Sequence, residues 1–279
     1  MKNTLKTSFL RFNKAAFCCA ACAILTSVSN AQTLISHYTL DGTVADSGSL
    51  GIDGALINSA SFVSGGVGSF NQALSTDSVG SQNFFRADTS DNPAYGMNAI
   101  TISMWVNLSS YNDGDRLVSN VTSANGFDLY LKSDVLSAGD YRLAFNFNST
   151  SGAVQSADNV AYQTSEWVFL AVTYDSSIVS GDNVFFYVGD ETSTIVMNDS
   201  AAKTGSINVG TADFEIGGTP ATTGDRTPVA LYNDVRIYNG ALDLASLEAI
   251  RTAAIPEPAH FSILIGGFLL GLAVLKRRN

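Results

Sequence analysis

Along the middle of the chain, apolar and polar side chains alternate with a period of two. In "DYRLAFNFNS", Tyr141, Leu143, Phe145 and Phe147 share one face, while Arg142, Ala144, Asn146 and Asn148 share the other. Successive side chains of a strand point to opposite faces, so this spacing predicts a half-buried strand. "GFDLYLKS" repeats the pattern with Phe127, Leu129 and Leu131, and "AITISMWVNL" with Ile100, Ile102, Met104, Val106 and Leu108. "EWVFLAVTYD" and "NVFFYVGD" are apolar on both faces, the pattern of central strands covered on two sides. The turn-rich stretches "NDGD", "SANG", "SAGD" and "VSGD" separate these runs. One helix is expected, "DLASLEAIR", with Asp243 as N-cap and Leu244, Leu247 and Ile250 on one face. Many short strands and one small helix predict an all-β domain: a two-sheet antiparallel β-sandwich of jelly-roll type with one short C-terminal helix.

The two ends depart from this pattern. Residues 1–31 hold Lys2, Lys6, Arg11 and Lys14 with no acid, then an apolar stretch from Ala15 to Val28, then Ser29-Asn30-Ala31. A cationic start, a short apolar run and small residues before the cut describe a secretory signal peptide, with cleavage expected before Gln32. At the other end, Pro256-Glu257-Pro258 precedes an apolar run, 259–275, and the cations Lys276, Arg277 and Arg278. Proline stops the preceding helix, and the run is just long enough for a transmembrane helix. By the positive-inside rule the basic end stays cytoplasmic. The expected organisation is a signal peptide over 1–31, one β domain over 32–254 and a membrane-directed tail over 255–279.

Charge and cysteine usage narrow the chemistry of the domain. The chain carries a net −10, but residues 32–255 hold 8 cations against 24 acids. That field repels nucleic acid and other polyanions, so neither is an expected partner. Cys18, Cys19 and Cys22 all lie in the leader. The remaining domain therefore has no disulfide framework, thiol nucleophile or thiolate metal site.

"HYTLDGTVADSGSLGIDGAL" carries Tyr38, Leu40, Asp41, Gly42, Asp46, Ser47, Gly51 and Gly54 at spacings that resemble the opening of LamG-like jelly rolls of the concanavalin A-like lectin/glucanase superfamily. "ITISMWVN", "EWVFLAVTYD", "VFFYVGD", "FEIGG" and "YNDVRIYNGALDLASLEAI" follow in that family's order, so the resemblance runs from about Leu34 to Arg251. It implies a structural Ca2+ where first and last strands meet, with Asp46 and Asp234 as ligands and Asn233 as a carbonyl ligand. Calcium needs 6–8 oxygens, and a Gly-rich loop can expose carbonyls around it. The competing reading is that Asp46 caps a turn through backbone N–H groups. The terminal triad of 256–258, 259–275 and 276–278 resembles a PEP-CTERM sorting signal. That resemblance implies a membrane exosortase as partner, transient anchoring in the inner membrane of a Gram-negative bacterium, and release to the cell surface or extracellular matrix.

Three function classes remain. A glucanase-type hydrolase needs two carboxyl groups held a fixed distance apart. Glu166, Glu191, Glu215, Glu248 and Glu257 are all far from one another in sequence. A Ser-His-Asp triad would have to use His37, and no nucleophile-elbow sequence is present. No catalytic residue is therefore assigned, and no enzyme is expected. A carbohydrate-binding module would stack sugar rings on aromatics, with Phe84 and Phe85 beside Arg86 and Asp88, or outward-facing Tyr130, as possible platforms. Trp105 and Trp167 read as core. A purely structural surface or biofilm protein is the third class. The expectation is a non-catalytic carbohydrate-binding or matrix protein.

Overall fold

The computed structural model describes residues 32–255, apart from 78–81, 91, 123, 135–139, 149–151, 158–161 and 221–225. The expected signal peptide, the Pro256-Glu257-Pro258 motif, the 259–275 helix and the basic end all lie outside the described residues. The chain divides into two units, Met1–Ala31 and Gln32–Asn279. No helix among the described residues is long and apolar enough to cross a membrane.

In chain order the strands are β1 (Thr33–Tyr38), β2 (Gly54–Ile57), β3 (Ser61–Ser64), β4 (Gln72–Thr76), β5 (Phe84–Ala87), β6 (Ala99–Ser110), β7 (Arg116–Ser119) and β8 (Phe127–Lys132). They continue with β9 (Asp140–Phe147), β10 (Val154–Gln155), β11 (Tyr162–Gln163), β12 (Trp167–Asp175), β13 (Val184–Asp190), β14 (Val196–Ala201), β15 (Phe214–Ile216) and β16 (Val229–Asn239). A short 3-10 turn spans Pro93–Tyr95, and α1 spans Leu244–Ala254. Two antiparallel sheets form a sandwich. Sheet A runs β14-β13-β12-β6-β16-β4-β3, with β1 also paired to β16. Sheet B runs β10-β9-β8-β7-β15-β5-β2, with β11 on β9.

The alternation read from sequence sets the interior. Ile100, Ile102, Met104, Val106 and Leu108 of β6 meet Phe127, Leu129 and Leu131 of β8 and Tyr141, Leu143, Phe145 and Phe147 of β9 in one buried cluster. The doubly apolar strand β12 divides its side chains between two clusters. Val168, Leu170, Val172 and Tyr174 face the sandwich interior, whereas Phe169 and Ala171 face outward, where α1 covers them. Trp105 joins that second cluster with Leu247, Ile250 and Ala254, its ring 5.4 Å from Phe169 edge-on. Trp105 is thus core; Trp167 is only half-buried at the edge of the same cluster.

The helix starts where Asp243 predicts, the carboxylate accepting the Ser246 N–H at 2.8 Å. Leu247 and Ile250 are buried, but Leu244 is 46 % exposed and not on the packed face as its spacing suggested. It sits in the first helical turn, at the rim of the covered patch. Two glycines of the opening motif have local reasons. Gly51 takes φ +63°, and a Cβ on Gly54 would lie 2.0 Å from the Phe85 ring.

The last strand organises sheet A. On one side β16 pairs with β6 along most of its length. On the other side its first half pairs with β4 and its second half with β1. The register slips between Asn233 and Arg236 at this handover, and Asp234 takes φ +53° there. Asp and Asn tolerate that left-handed conformation better than other side chains.

Candidate functional site

The strand handover brings together the residues expected to hold calcium. Asp46 follows β1 on the loop that folds back against Tyr38. Its Oδ1 accepts the N–H groups of His37 and Gly48, both at 2.7 Å, and its Oδ2 accepts the Ile52 N–H at 3.3 Å. This is the turn-capping arrangement. Asn233 is fully buried; its Oδ1 accepts the Val67 N–H and its Nδ2 donates to the carbonyls of Thr39, Leu40 and Gln72. Asp234, 1 % exposed, receives the Arg236 Nε at 2.9 Å and bonds His37 Nε2 at 2.7 Å, both through Oδ1. A dication here would displace three backbone donors from Asp46 and sit beside a guanidinium that repels it. As arranged, the three residues do not fit an oxygen cage of the kind calcium requires. Among the described residues no group of three or more His, Cys, Asp or Glu is placed to hold a metal.

His37 instead links the two aspartates. Its backbone N–H goes to Asp46, its Nε2 to Asp234 Oδ1, and its Nδ1 lies 2.8 Å from Ser47 Oγ. Ser47 is exposed, the His37 side chain is 15 % exposed, and Asp234 is buried. Serine, histidine and aspartate therefore stand in one hydrogen-bonded line, built on the histidine that a Ser-His-Asp triad here would have to use. The signal was there only in part: Asp46-Ser47 was singled out, but its partner lies 197 residues from His37.

A second cluster lies on the outer face of sheet B, which carries no helix among the described residues. Arg86 of β5 and Glu215 of β15 are cross-strand neighbours. Arg86 Nη2 lies 2.6 Å from Glu215 Oε1, and its Nε lies 3.6 Å from Asp213. Burial pushes the Glu215 carboxyl above its usual range, against the pull of Arg86. Burial and the neighbouring Asp88 push Asp213 up as well. Further along the same face, Arg116 pairs with buried Asp128 at 3.3 Å and lies over the Tyr130 ring at 4.4 Å. Beside Arg86 a concavity of ≈380 Å3 is lined by Ile57, Asn58, Gln82, Phe84, Arg86 and Thr219.

The aromatics expected to stack sugars are differently placed. Phe85 is wholly inside the sandwich, and Phe84 is 6 % exposed beneath the Arg86 guanidinium, 5.1 Å from its ring. Tyr130 does face outward, as its register demands, but it is half-buried under Arg116. What this face offers is a row of fixed hydrogen-bonding groups, with aromatics as their support.

Of the four described glutamates, Glu166 and Glu191 converge on one concavity and the other two stand apart. Glu215 is on sheet B, and Glu248 is on α1, bound to Arg251 and to the Ile195 N–H. Glu166 and Glu191 line a separate concavity of ≈410 Å3 with Trp167. Glu257 lies outside the described residues. Lys203 is buried 4.6 Å from the Phe147 ring, and desolvation brings its ammonium pKa down to about 8. Among the described residues, Arg86, Arg116, Lys132, Arg142, Arg236 and Arg251 make carboxylate ion pairs. With 24 acids in residues 32–255, the excess charge left for solvent is negative.

Comparison with known proteins bears on the fold. The Laminin_G_3 family, described as the concanavalin A-like lectin/glucanases superfamily, matches residues 79–247. No curated protein matches the sequence. Among solved structures, domain 4 of AbnA, a GH43 extracellular arabinanase from Geobacillus stearothermophilus, in complex with arabinotriose, aligns with a TM-score of 0.58 at 19% identity, covering 79% of this chain and 98% of that one. The botulinum neurotoxin type G receptor binding domain aligns at 0.55 and 16% identity, covering 79% of this chain and 51% of that one. A structure of botulinum neurotoxin type C, whose cell entry is dependent upon interaction with two ganglioside molecules, aligns at 0.56 and 14% identity, covering 81% of this chain and 52% of that one. The chain thus spans about half of the toxin chains and nearly all of the arabinanase domain. At these identities the likeness shows the shared fold.

Proposed function

The chain belongs to the concanavalin A-like lectin/glucanases superfamily, and on that premise we propose that it is an exported carbohydrate-binding or matrix protein that recognises a neutral glycan without cleaving it. The observation that carries this reading is the open outer face of sheet B. There Arg86, Glu215 and Asp213 are locked to one another beside a concavity with Asn58, Gln82 and Thr219 on its wall. Sugar hydroxyls are read by donors and acceptors held in fixed geometry, because an ordered group loses little entropy on binding. The acidic excess disfavours anionic polysaccharides and nucleic acid. The likeness to an arabinanase domain in complex with arabinotriose supports the same ligand class.

For the ends of the chain we propose export through the 1–31 leader. The 255–279 tail then serves as a sorting signal handled by a membrane exosortase, with the inner membrane a transient stop before the cell surface or extracellular matrix. The support is the order of Pro256-Glu257-Pro258, the 259–275 run and Lys276, Arg277 and Arg278. Calcium at Asp46, Asn233 and Asp234 is not part of this proposal.

The binding reading is tested on a glycan array of neutral oligosaccharides. Wild type binds a defined set, and Asn58→Gly, which keeps the left-handed backbone of that residue (φ +57°), reduces the signal without lowering the melting temperature. A wild-type protein that binds nothing on the array, yet assembles into matrix when expressed with an exosortase, would leave the purely structural role. Sorting is tested by immunoblot: alanines at 256–258 leave an uncut membrane-bound precursor, whereas wild type is shortened.

A further inference from the structure

We propose that Ser47 is a reactive serine, activated by His37 and oriented by Asp234, that accepts acyl groups from small carboxylic esters. This goes beyond the binding role and uses a different part of the molecule, the handover between β1, β4 and β16.

Hydrogen-bond chemistry assigns the proton positions. Asp234 Oδ1 already takes the Arg236 Nε–H, and an ionised carboxylate can only accept. The neighbouring His37 Nε2 must therefore carry a proton toward it. In a neutral imidazole the other nitrogen is then an acceptor. His37 Nδ1, 2.8 Å from Ser47 Oγ, is thus the nearer of two acceptors for the hydroxyl proton, the His37 carbonyl oxygen lying at 3.3 Å. The geometry falls within the 2.6–3.2 Å at which a general base works. Burial is graded in the sense such a relay needs: a buried carboxylate, a partly covered imidazole and a solvent-exposed hydroxyl. Asp234 Oδ2 is buried without a hydrogen-bond partner, so the carboxylate is held by the two donors at Oδ1.

The surrounding backbone keeps the three groups in register. Ser47 N–H donates to His37 O at 3.0 Å, Asp46 holds the His37 N–H, and Gly48 lies so close to β1 that a Cβ there would meet the Ile35 carbonyl at 2.3 Å. The same bonds define the substrate class. The N–H groups of Ser47, Gly48, Ser49 and Leu50 all donate within the protein, to His37 O, Asp46 Oδ1, Leu34 O and Ile35 O. That stretch offers no donors for a developing oxyanion, which is the larger part of catalysis in acyl transfer. Amides are therefore excluded as practical substrates. Esters with an open carbonyl, such as short O-acyl groups, remain within reach of an activated hydroxyl on an exposed loop.

The cycle balances with the ester and one water as its only reactants. Ser47 Oγ bonds to the carbonyl carbon as its proton passes to His37 Nδ1. The carbon–oxygen bond to the alcohol then breaks, and the departing oxygen takes that proton. Water repeats the sequence on the acyl-serine, releasing the carboxylic acid and restoring the hydroxyl. Ser47 and His37 touch the reacting atoms, and Asp234 is a positioning residue.

The test uses a fluorophosphonate probe on the purified protein, with the modified peptide identified by mass spectrometry, and p-nitrophenyl acetate as the acyl donor. The expected result is one adduct, on Ser47, and none on Ser49, which is also exposed. Ser47→Ala abolishes labelling and ester cleavage. His37→Ala slows labelling at least tenfold, and free imidazole restores part of it, which a merely structural role for His37 would not allow. Absence of labelling, equal labelling of Ser47 and Ser49, or a His37→Ala variant that labels at the wild-type rate overturns the proposal. If His37→Ala does not fold, the Ser47 to Ser49 ratio in wild type decides alone.

Discussion

The outer faces of the two sheets are finished in different ways. Sheet A turns Trp105, Phe169 and Ala171 outward and hides them under α1, so its central strands are apolar on both sides. Sheet B turns Arg86, Glu215, Arg116, Asp128 and Tyr130 outward, with no helix over them among the described residues; its ion pairs cover one another and the aromatics beneath. Apolar cover is non-directional and is lost atom by atom, whereas a charge pair stabilises only while both members are present. The covered face is therefore scaffold, and the paired face is the one that the proposed glycan would engage.

The largest expected effect comes from uncovering sheet A. Trp105→Ala removes a fully buried side chain between the sheet and α1, at a cost of about 3–5 kcal/mol by chemical denaturation. A loss below about 1 kcal/mol would mean that α1 is not a structural cover. On sheet B, Arg86→Ala leaves buried Glu215 without its cation. The loss at neutral pH is about 2–3 kcal/mol, less than the roughly 3–5 of a fully buried pair because Arg86 itself is 40% exposed. The sign with pH separates the two faces. Glu215 has a raised folded pKa, so its protonated form favours the fold. In the variant the deficit closes as pH falls toward the unfolded carboxyl's ordinary value and widens as pH rises through the raised one. Trp105→Ala shows no such dependence. A pH-independent deficit in Arg86→Ala would show that Glu215 is not the stranded group.

The contrast between the sheets was legible in the sequence where it rests on periodicity. "EWVFLAVTYD" read as covered on both sides, and β8 and β9 as covered on one, because the apolar period is local. Asp243 was legible as a cap for the same reason. The sites were not. Arg86 meets Glu215 from 129 residues away, and His37 meets Asp234 from 197, so only the sheet order puts them together. The same convergence ties up Asp46, Asn233 and Asp234 in hydrogen bonds that the loop sequence alone did not reveal. Leu244 fell on the apolar period yet is exposed, since the first helical turn overhangs the covered patch.

Smaller effects sharpen the same comparison. Asp243→Ala removes the cap that starts the covering helix and lowers stability by about 1 kcal/mol, while Asp243→Asn restores most of it. A loss as large as that of Trp105→Ala would mean that the whole cover depends on its first turn. The smallest effect is expected at the strand handover. Added calcium, or a chelator, leaves the melting curve unchanged, because Asp46 and Asp234 are already engaged by donors of the protein. A rise in melting temperature with calcium, by the mass-action relation for native-state binding, would show that the ion displaces those donors.

The position of β16 between β6 on one side and β1 with β4 on the other has a consequence in time. Among the described residues, the first strand cannot join its sheet until the last strand exists, because Thr33 pairs with Asn239 and Tyr38 with Val235. Contacts of such sequence separation must close a long loop before they are rewarded, which places the domain among slow folders. A nascent chain short of Val229 has β1 with no edge to add to and β6 with one neighbour missing. The domain thus stays open through nearly the whole of its synthesis and locks when its final strand arrives. The C-terminal strand acts as the timer of the fold.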